Sequence, residues 1–259
     1  MANQTQSTTK QPSQLEMQPV LNLFNAGKLA EAESAAKKLV AHYPNTFILY
    51  QILGIAQDGL SKFADAVESY TKALAIQPNM PDLLFNLGID LTNVDRLPEA
   101  ETSYRKAIAL QPRFFEAHGN LGTVLQKQGR LEEAIESYRK ALDIHEDPRG
   151  HFNLGTALRD EGKLDEAISH FRHAISMFPN YADAHNYLGE CLRDQGNMED
   201  AIKSYLDALK LNPSHSGANY NMGEFCYLAG RFDEAVTYFE KSKLDDWQER
   251  ALYCTYKAE

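Results

Sequence analysis

The sequence predicts an all-α solenoid of about seven helix-turn-helix units, each 34 residues long, and three observations predict it. A Leu-Gly or equivalent pair recurs at Leu53-Gly54, Leu87-Gly88, Leu121-Gly122, Leu154-Gly155, Leu188-Gly189 and Met222-Gly223, at spacings of 34, 34, 33, 34 and 34. Each pair is followed at a fixed distance by an aromatic, Tyr70, Tyr104, Tyr138, Phe171, Tyr205 and Phe239, with an alanine four residues before it. Prolines close four units at Pro78, Pro112, Pro179 and Pro213. A fixed period of this length marks a supersecondary unit that cannot bury its apolar face alone and must stack on its neighbours.

With Leu-Gly at positions 7 and 8, the elements follow in order. Residues 1–12 are polar, lack the apolar stretch of a signal peptide, and are expected to form a disordered lead-in. Residues 13–46 form a degenerate first unit, with Gly27, Ala32 and Pro44 in register but Pro19-Val20 in place of Leu-Gly. Six units follow at 47–80, 81–114, 115–147, 148–181, 182–215 and 216–249, each a helix A, a short turn and a helix B in one continuous domain. Gly129, Gly162, Gly196 and Gly230 at position 15 supply the left-handed residue that ends helix A. Ser61 and Asp95 stand there instead in two units, whose turns are expected to differ locally; Pro98 opens the helix after Asp95, where its missing N–H is tolerated. The unit 115–147 is one residue short and lacks its proline, and Pro148 opens the next. Asp245-Asp246-Trp247 breaks the last unit, and residues 246–259 read as a final helix, either a solvating cap or the cut edge of a longer protein.

These columns resemble the tetratricopeptide repeat family, whose pattern is a bulky residue at 4, Leu-Gly at 7 and 8, Ala at 20, an aromatic at 24, Ala at 27 and Pro at 32. Position 20 is alanine in all six units, and position 27 reads Ala73, Ala107, Ala141, Ala174, Ala208 and then Ser242. Small residues at 8 and 20 let two helices approach closely, the aromatic fills the space beside them, and proline stops the helix. The resemblance implies a right-handed superhelix with its A helices lining the concave surface.

Composition narrows the functional classes. Asp and Glu number 36 against 26 Lys and Arg, and residues 115–259 hold 25 of the carboxylates against 16 cations. This excess disfavours nucleic acid or anionic membrane as a partner and admits either a basic or mixed-charge partner or a merely solvated face. Cys191, Cys226 and Cys254 form no close-spaced pair and read as small buried hydrophobes of a reducing, cytoplasmic protein. No nucleophile-elbow, zinc-protease, P-loop or dinucleotide-binding motif is present, so the expected function is not catalytic and no cofactor is expected. His170 and His173 could share a helix face as metal ligands, and His118, His151 and His185 make a column at position 4. Two ligands are too few and position 4 takes packing residues, so no metal site is assigned.

Position 6 of helix A carries the candidate site. Asn86, Asn120, Asn153 and Asn221 stand there, interrupted by Tyr187 and preceded by Ile52. Thr123, Gln126, Thr156, Arg159, Glu190 and Arg193 follow at positions 9 and 12 on the same stripe. An amide both donates and accepts, so a ladder of asparagines can hold an extended peptide by its backbone; the alternative is that these residues only bond the neighbouring helix. The ladder is similar to that of the superhelical region of O-linked N-acetylglucosamine transferase. Phe85, Phe152 and Tyr220 at position 5 would add side-chain pockets, and Arg159 and Arg193 would meet carboxylates of the peptide or pair within the chain. The expectation is a protein-protein interaction scaffold binding an extended segment in the groove; the alternative is the substrate-recruiting region of a larger transferase continuing past residue 259. Self-association through the terminal helices is a further possibility.

Overall fold

A computed structural model of the protein describes residues 11–243 and 247–258. The described residues form α1 (Gln14–Asn25), α2 (Leu29–His42), α3 (Phe47–Gly59), α4 (Phe63–Ile76), α5 (Pro81–Asn93), α6 (Leu97–Leu110), α7 (Phe115–Lys127), α8 (Leu131–Ile144), α9 (Pro148–Asp160), α10 (Leu164–Met177), α11 (Ala182–Asp194), α12 (Met198–Leu211), α13 (Ser216–Leu228), α14 (Phe232–Ser242) and α15 (Trp247–Ala258). The fold is an all-α solenoid of helix pairs. The lead-in expected over residues 1–12 lies outside the described residues up to residue 10, as do residues 245 and 246 of the expected break. Gln11 is held: its amide donates to the Asn45 carbonyl at 3.3 Å and accepts from the Thr46 hydroxyl at 3.0 Å.

The helices fall into two compact units, one ending at Arg130 and one beginning at Leu131. A stack held by nearest-neighbour interfaces has no single core to keep it one body. In the first unit each helix from α1 to α7 packs on the next; in the second the same holds from α8 to α15.

Column chemistry explains the pairing. The six position-24 aromatics are almost wholly buried, and the six position-20 alanines are fully so. A Cβ on Gly54 would stand 2.3 Å from the Tyr70 ring, and one on Gly88 would stand 2.5 Å from the Tyr104 ring. Only a glycine lets the ring come this close to the facing helix.

The turns at position 15 share one backbone geometry, which corrects the expected local difference. Ser61 and Asp95 both adopt φ 58°, in the left-handed region that Gly129 and Gly162 occupy at 77° and 83°. The same closing bond follows in each case, from Lys62 N–H to Gln57 O, Arg96 N–H to Leu91 O and Arg130 N–H to Leu125 O. A short polar residue tolerates this region at a cost of roughly 1–2 kcal/mol. Where the closing proline is missing, Asp147 caps α9 instead, accepting from the N–H groups of Arg149 and Gly150 at 2.8 and 3.0 Å.

Candidate functional site

In the first unit, Asn86 on α5 and Asn120 on α7 are half-buried. The Asn86 amide is in polar contact with the Tyr70 hydroxyl, and Asn120, together with Thr92, with that of Tyr104. Each asparagine therefore serves the position-24 tyrosine of the preceding helix B. Burial pushes the Tyr104 hydroxyl up to about 12, and the two polar contacts oppose that shift. Thr123, half-buried on α7, turns its hydroxyl back to the Gly119 carbonyl at 3.3 Å, and Gln126 lies half-buried one turn further on.

The sequence pattern of the ladder follows this pairing, although Asn221 itself bonds Asn186, Glu190 and Arg193. Along the sequence, Asn86, Asn120, Asn153 and Asn221 each follow a unit whose position 24 is tyrosine: Tyr70, Tyr104, Tyr138 and Tyr205. Tyr187 follows Phe171, and Ile52 follows Ala36, which stands at position 24 of the degenerate unit. A hydroxyl at a helix junction needs a polar neighbour, whereas a phenyl or methyl group does not. Accordingly Tyr187 lays its ring 5.8 Å from that of Phe171, and Ile52 is buried. Reading column 6 against column 24 of the preceding unit would have found this in the sequence.

In the second unit the candidate residues assemble into one connected cluster on α9, α11 and α13. Arg159 pairs with Glu190, with Asp160 at 3.6 Å, and lies over the Tyr187 ring at 4.6 Å. Glu190 also accepts from the amides of Asn186 at 2.8 Å and Asn221 at 3.3 Å. The Asn221 amide donates to the Asn186 carbonyl at 3.0 Å, and Arg193 donates to the Asn221 carbonyl at 3.1 Å and pairs with Asp194. Arg159, Tyr187 and Glu190 are half-buried, Arg193 is exposed and Asn221 is buried. Burial raises the pKa of the Tyr187 hydroxyl, against the lowering effect of Arg159. Asn153 and Thr156 are half-buried on α9, where the Thr156 hydroxyl donates to the Asn153 carbonyl at 2.7 Å. Asn186, central to the cluster and buried, was not among the candidates, because position 5 varies too much along the chain to form a column.

The position-5 aromatics, half-buried, pack on their neighbours. Phe85 lies 4.8 Å from Phe114, Phe152 lies 5.0 Å from Tyr181 and 5.2 Å from Tyr187, and Tyr220 lies 5.8 Å from Phe239 with the Arg250 guanidinium over it at 5.1 Å.

The position-4 column has a structural use. His118 and His185 donate from Nε2 to the carbonyls of Pro112 and Pro179, each at 3.1 Å, and Asn219 donates to that of Pro213 at 3.0 Å. Each ties helix A to the proline that closes the preceding unit. His151 follows the unit without that proline; its Nδ1 lies 2.9 Å from Nδ1 of His170, and its ring stacks 4.9 Å from His173. Burial, then the charges of His151 and His173, push His170 down to about 4. Among the described residues no three His, Cys, Asp or Glu side chains are placed to hold a metal, and no helix is long and apolar enough to cross a membrane.

Two tetratricopeptide repeat models match the sequence, one over residues 20–81, 152–214 and 194–247, the other over 79–147 and 113–180. No curated protein matches it. Among solved structures, the chain is similar to a tetratricopeptide repeat protein from Parabacteroides merdae, with a TM-score of 0.73 at 18% identity, covering 93% of this chain and 98% of that one. It is also similar to YrrB, a TPR protein with an unusual peptide-binding site, with a TM-score of 0.61 at 25% identity over 71% of this chain and 95% of that one. MamA from Desulfovibrio magneticus gives 0.62 at 22% identity over 65% and 96%.

Proposed function

The chain belongs to the tetratricopeptide repeat family, and from that membership we propose that it is a non-catalytic interaction scaffold holding an extended peptide segment against its A helices. The observation that carries this reading is the cluster of Arg159, Tyr187, Glu190, Arg193 and Asn221, which three successive A helices bring to one partly exposed face. It offers guanidinium donors, a carboxylate and an aromatic edge to a chain lying across it, the mixture that recognises a peptide of mixed charge. In the first unit, Asn86 and Asn120 offer a peptide amide groups of their own, since an amide that meets a tyrosine retains hydrogen-bonding capacity. The similarity to YrrB supports a peptide as ligand. A free segment must be ordered on binding, so affinity is weak to moderate.

Selection from a displayed library of peptides drawn from disordered protein regions tests the reading. Peptides enriched by the full chain are expected to lose about tenfold or more in affinity to Arg159→Ala/Arg193→Ala, the effect of losing ~1.4 kcal/mol or more. Arg172→Ala, on exposed helix-B surface, is expected to change nothing. The reverse pattern would place binding on the B helices and sink the proposal.

A further inference from the structure

Position 10 of helix A faces inward, and the six units carry Ala56, Asp90, Val124, Ala157, Cys191 and Phe225 there. Asp90 is the one ionisable carboxyl group in that column, and like Ala56, Val124, Ala157 and Cys191 it is 0% exposed. Neither of its oxygens has a hydrogen-bond donor among the described residues. A buried carboxylate without donors is among the costliest groups a fold can hold.

The group that meets it is another carboxyl. Asp58, half-buried at position 12 of α3, lies within hydrogen-bonding reach of Asp90 on α5. Ionised carboxylates only accept, so these two can bond each other only with a proton between them. The surroundings offer no substitute. Tyr70 on α4 and Tyr104 on α6 feel the Asp90 charge, but their hydroxyls face Asn86 and Thr92 with Asn120; α7 brings the Asn120 amide to this region, which carries no charge.

We propose that Asp58 and Asp90 hold one proton between them at neutral pH, so that Asp90 is a neutral acid donating to Asp58 and the first unit is fastened by a proton that mild alkali removes. Burial, and secondarily the Asp58 charge, push Asp90 up to about 8 from its ordinary 3.8. The folded value lies above the unfolded one, so this contact stabilises fully below about pH 4 and loses its contribution as pH rises to about 8. Beyond that, two negative charges face each other across α3 and α5.

The direct test is carbon-13 NMR of the aspartate carboxyl groups in the full chain, titrated from acid to alkali. One carboxyl of the Asp58–Asp90 pair should titrate near pH 8; two ordinary titrations near pH 4 would overturn the proposal. A second measurement uses Asp90→Val, which copies Val124. Its Tm advantage over the wild type should be larger at pH 9 than at pH 5, and curves that stay parallel across that range would equally overturn it.

Discussion

Tyr205 and Tyr104 occupy the same column, and removing the hydroxyl of each should move stability in opposite directions. The Tyr205 hydroxyl is buried and has no partner among the described residues. Asn221, which stands where Asn120 stands beside Tyr104, is drawn away to Asn186, Glu190 and Arg193. An orphaned buried polar group costs roughly 1–3 kcal/mol. The ring itself fits without the oxygen, because Phe171 and Phe239 fill the same position and are buried. Tyr205→Phe should therefore stabilise by ~0.5–2 kcal/mol, part of that cost being returned. Tyr104→Phe gives up contacts with Thr92 and Asn120 and should destabilise by ~1 kcal/mol. Urea unfolding followed by circular dichroism gives the sign, and amide hydrogen exchange in α5–α7 and α11–α13 localises it, which matters in a stack that need not unfold in one step. Equal losses in both variants would mean that the Tyr205 hydroxyl is satisfied after all, and would refute the expected opposition of sign.

Glu33, almost buried, is held near a pKa of about 2 by Lys37 first and Lys62 second, at 2.7 and 2.6 Å. Its folded pKa lies below its unfolded one, so Glu33→Gln should cost ~1–2 kcal/mol at pH 7. That cost should shrink as pH falls from about 4.5 towards about 2, read as a converging difference in Tm between the two proteins. Ser61→Gly and Asp95→Gly relieve left-handed residues at φ 58° and should each stabilise by ~0.5–1 kcal/mol in urea titrations; a loss would mean that the side chains contribute bonds worth more than the strain. Gly88→Val places a branched side chain where a Cβ alone meets the Tyr104 ring at 2.5 Å. It should destabilise by ~1–3 kcal/mol, and a neutral result in the same titration would show that the helix pair can open without penalty.

What the sequence made legible is what shape enforces. Gly54 and Gly88 must be glycine because a ring lies against them, and Ala66 and Ala100 must be small because two helices meet there. Such constraints repeat in every unit and show as columns. Features that vary between units escaped. Ser61 and Asp95 conceal a left-handed turn because nothing in a serine or aspartate demands one. Asn186 and Asp90 read as ordinary polar residues of an amphipathic helix, and only packing shows that both are buried.

The asparagine ladder shows how a repeat column can serve fold and ligand together, and why a simple deletion cannot separate the two. Asn120→Ala would strip one of the two polar contacts from the Tyr104 hydroxyl as well as remove a proposed peptide contact, so lost binding alone would not identify a ligand residue. The chain itself supplies the control, because it pairs Phe171 with Tyr187 and Ala36 with Ile52 wherever the hydroxyl is absent. In a Tyr104→Phe background the amide has no tyrosine left to satisfy, and a half-buried side chain can otherwise turn to water. Adding Asn120→Ala to that background should then change stability by no more than ~0.5 kcal/mol. A further drop of about fivefold or more in peptide affinity, roughly 1 kcal/mol, is expected if Asn120 touches the peptide. Unchanged affinity in the same pair of proteins would confine the column to its service of the tyrosines and leave recognition to the Arg159–Glu190–Arg193 cluster.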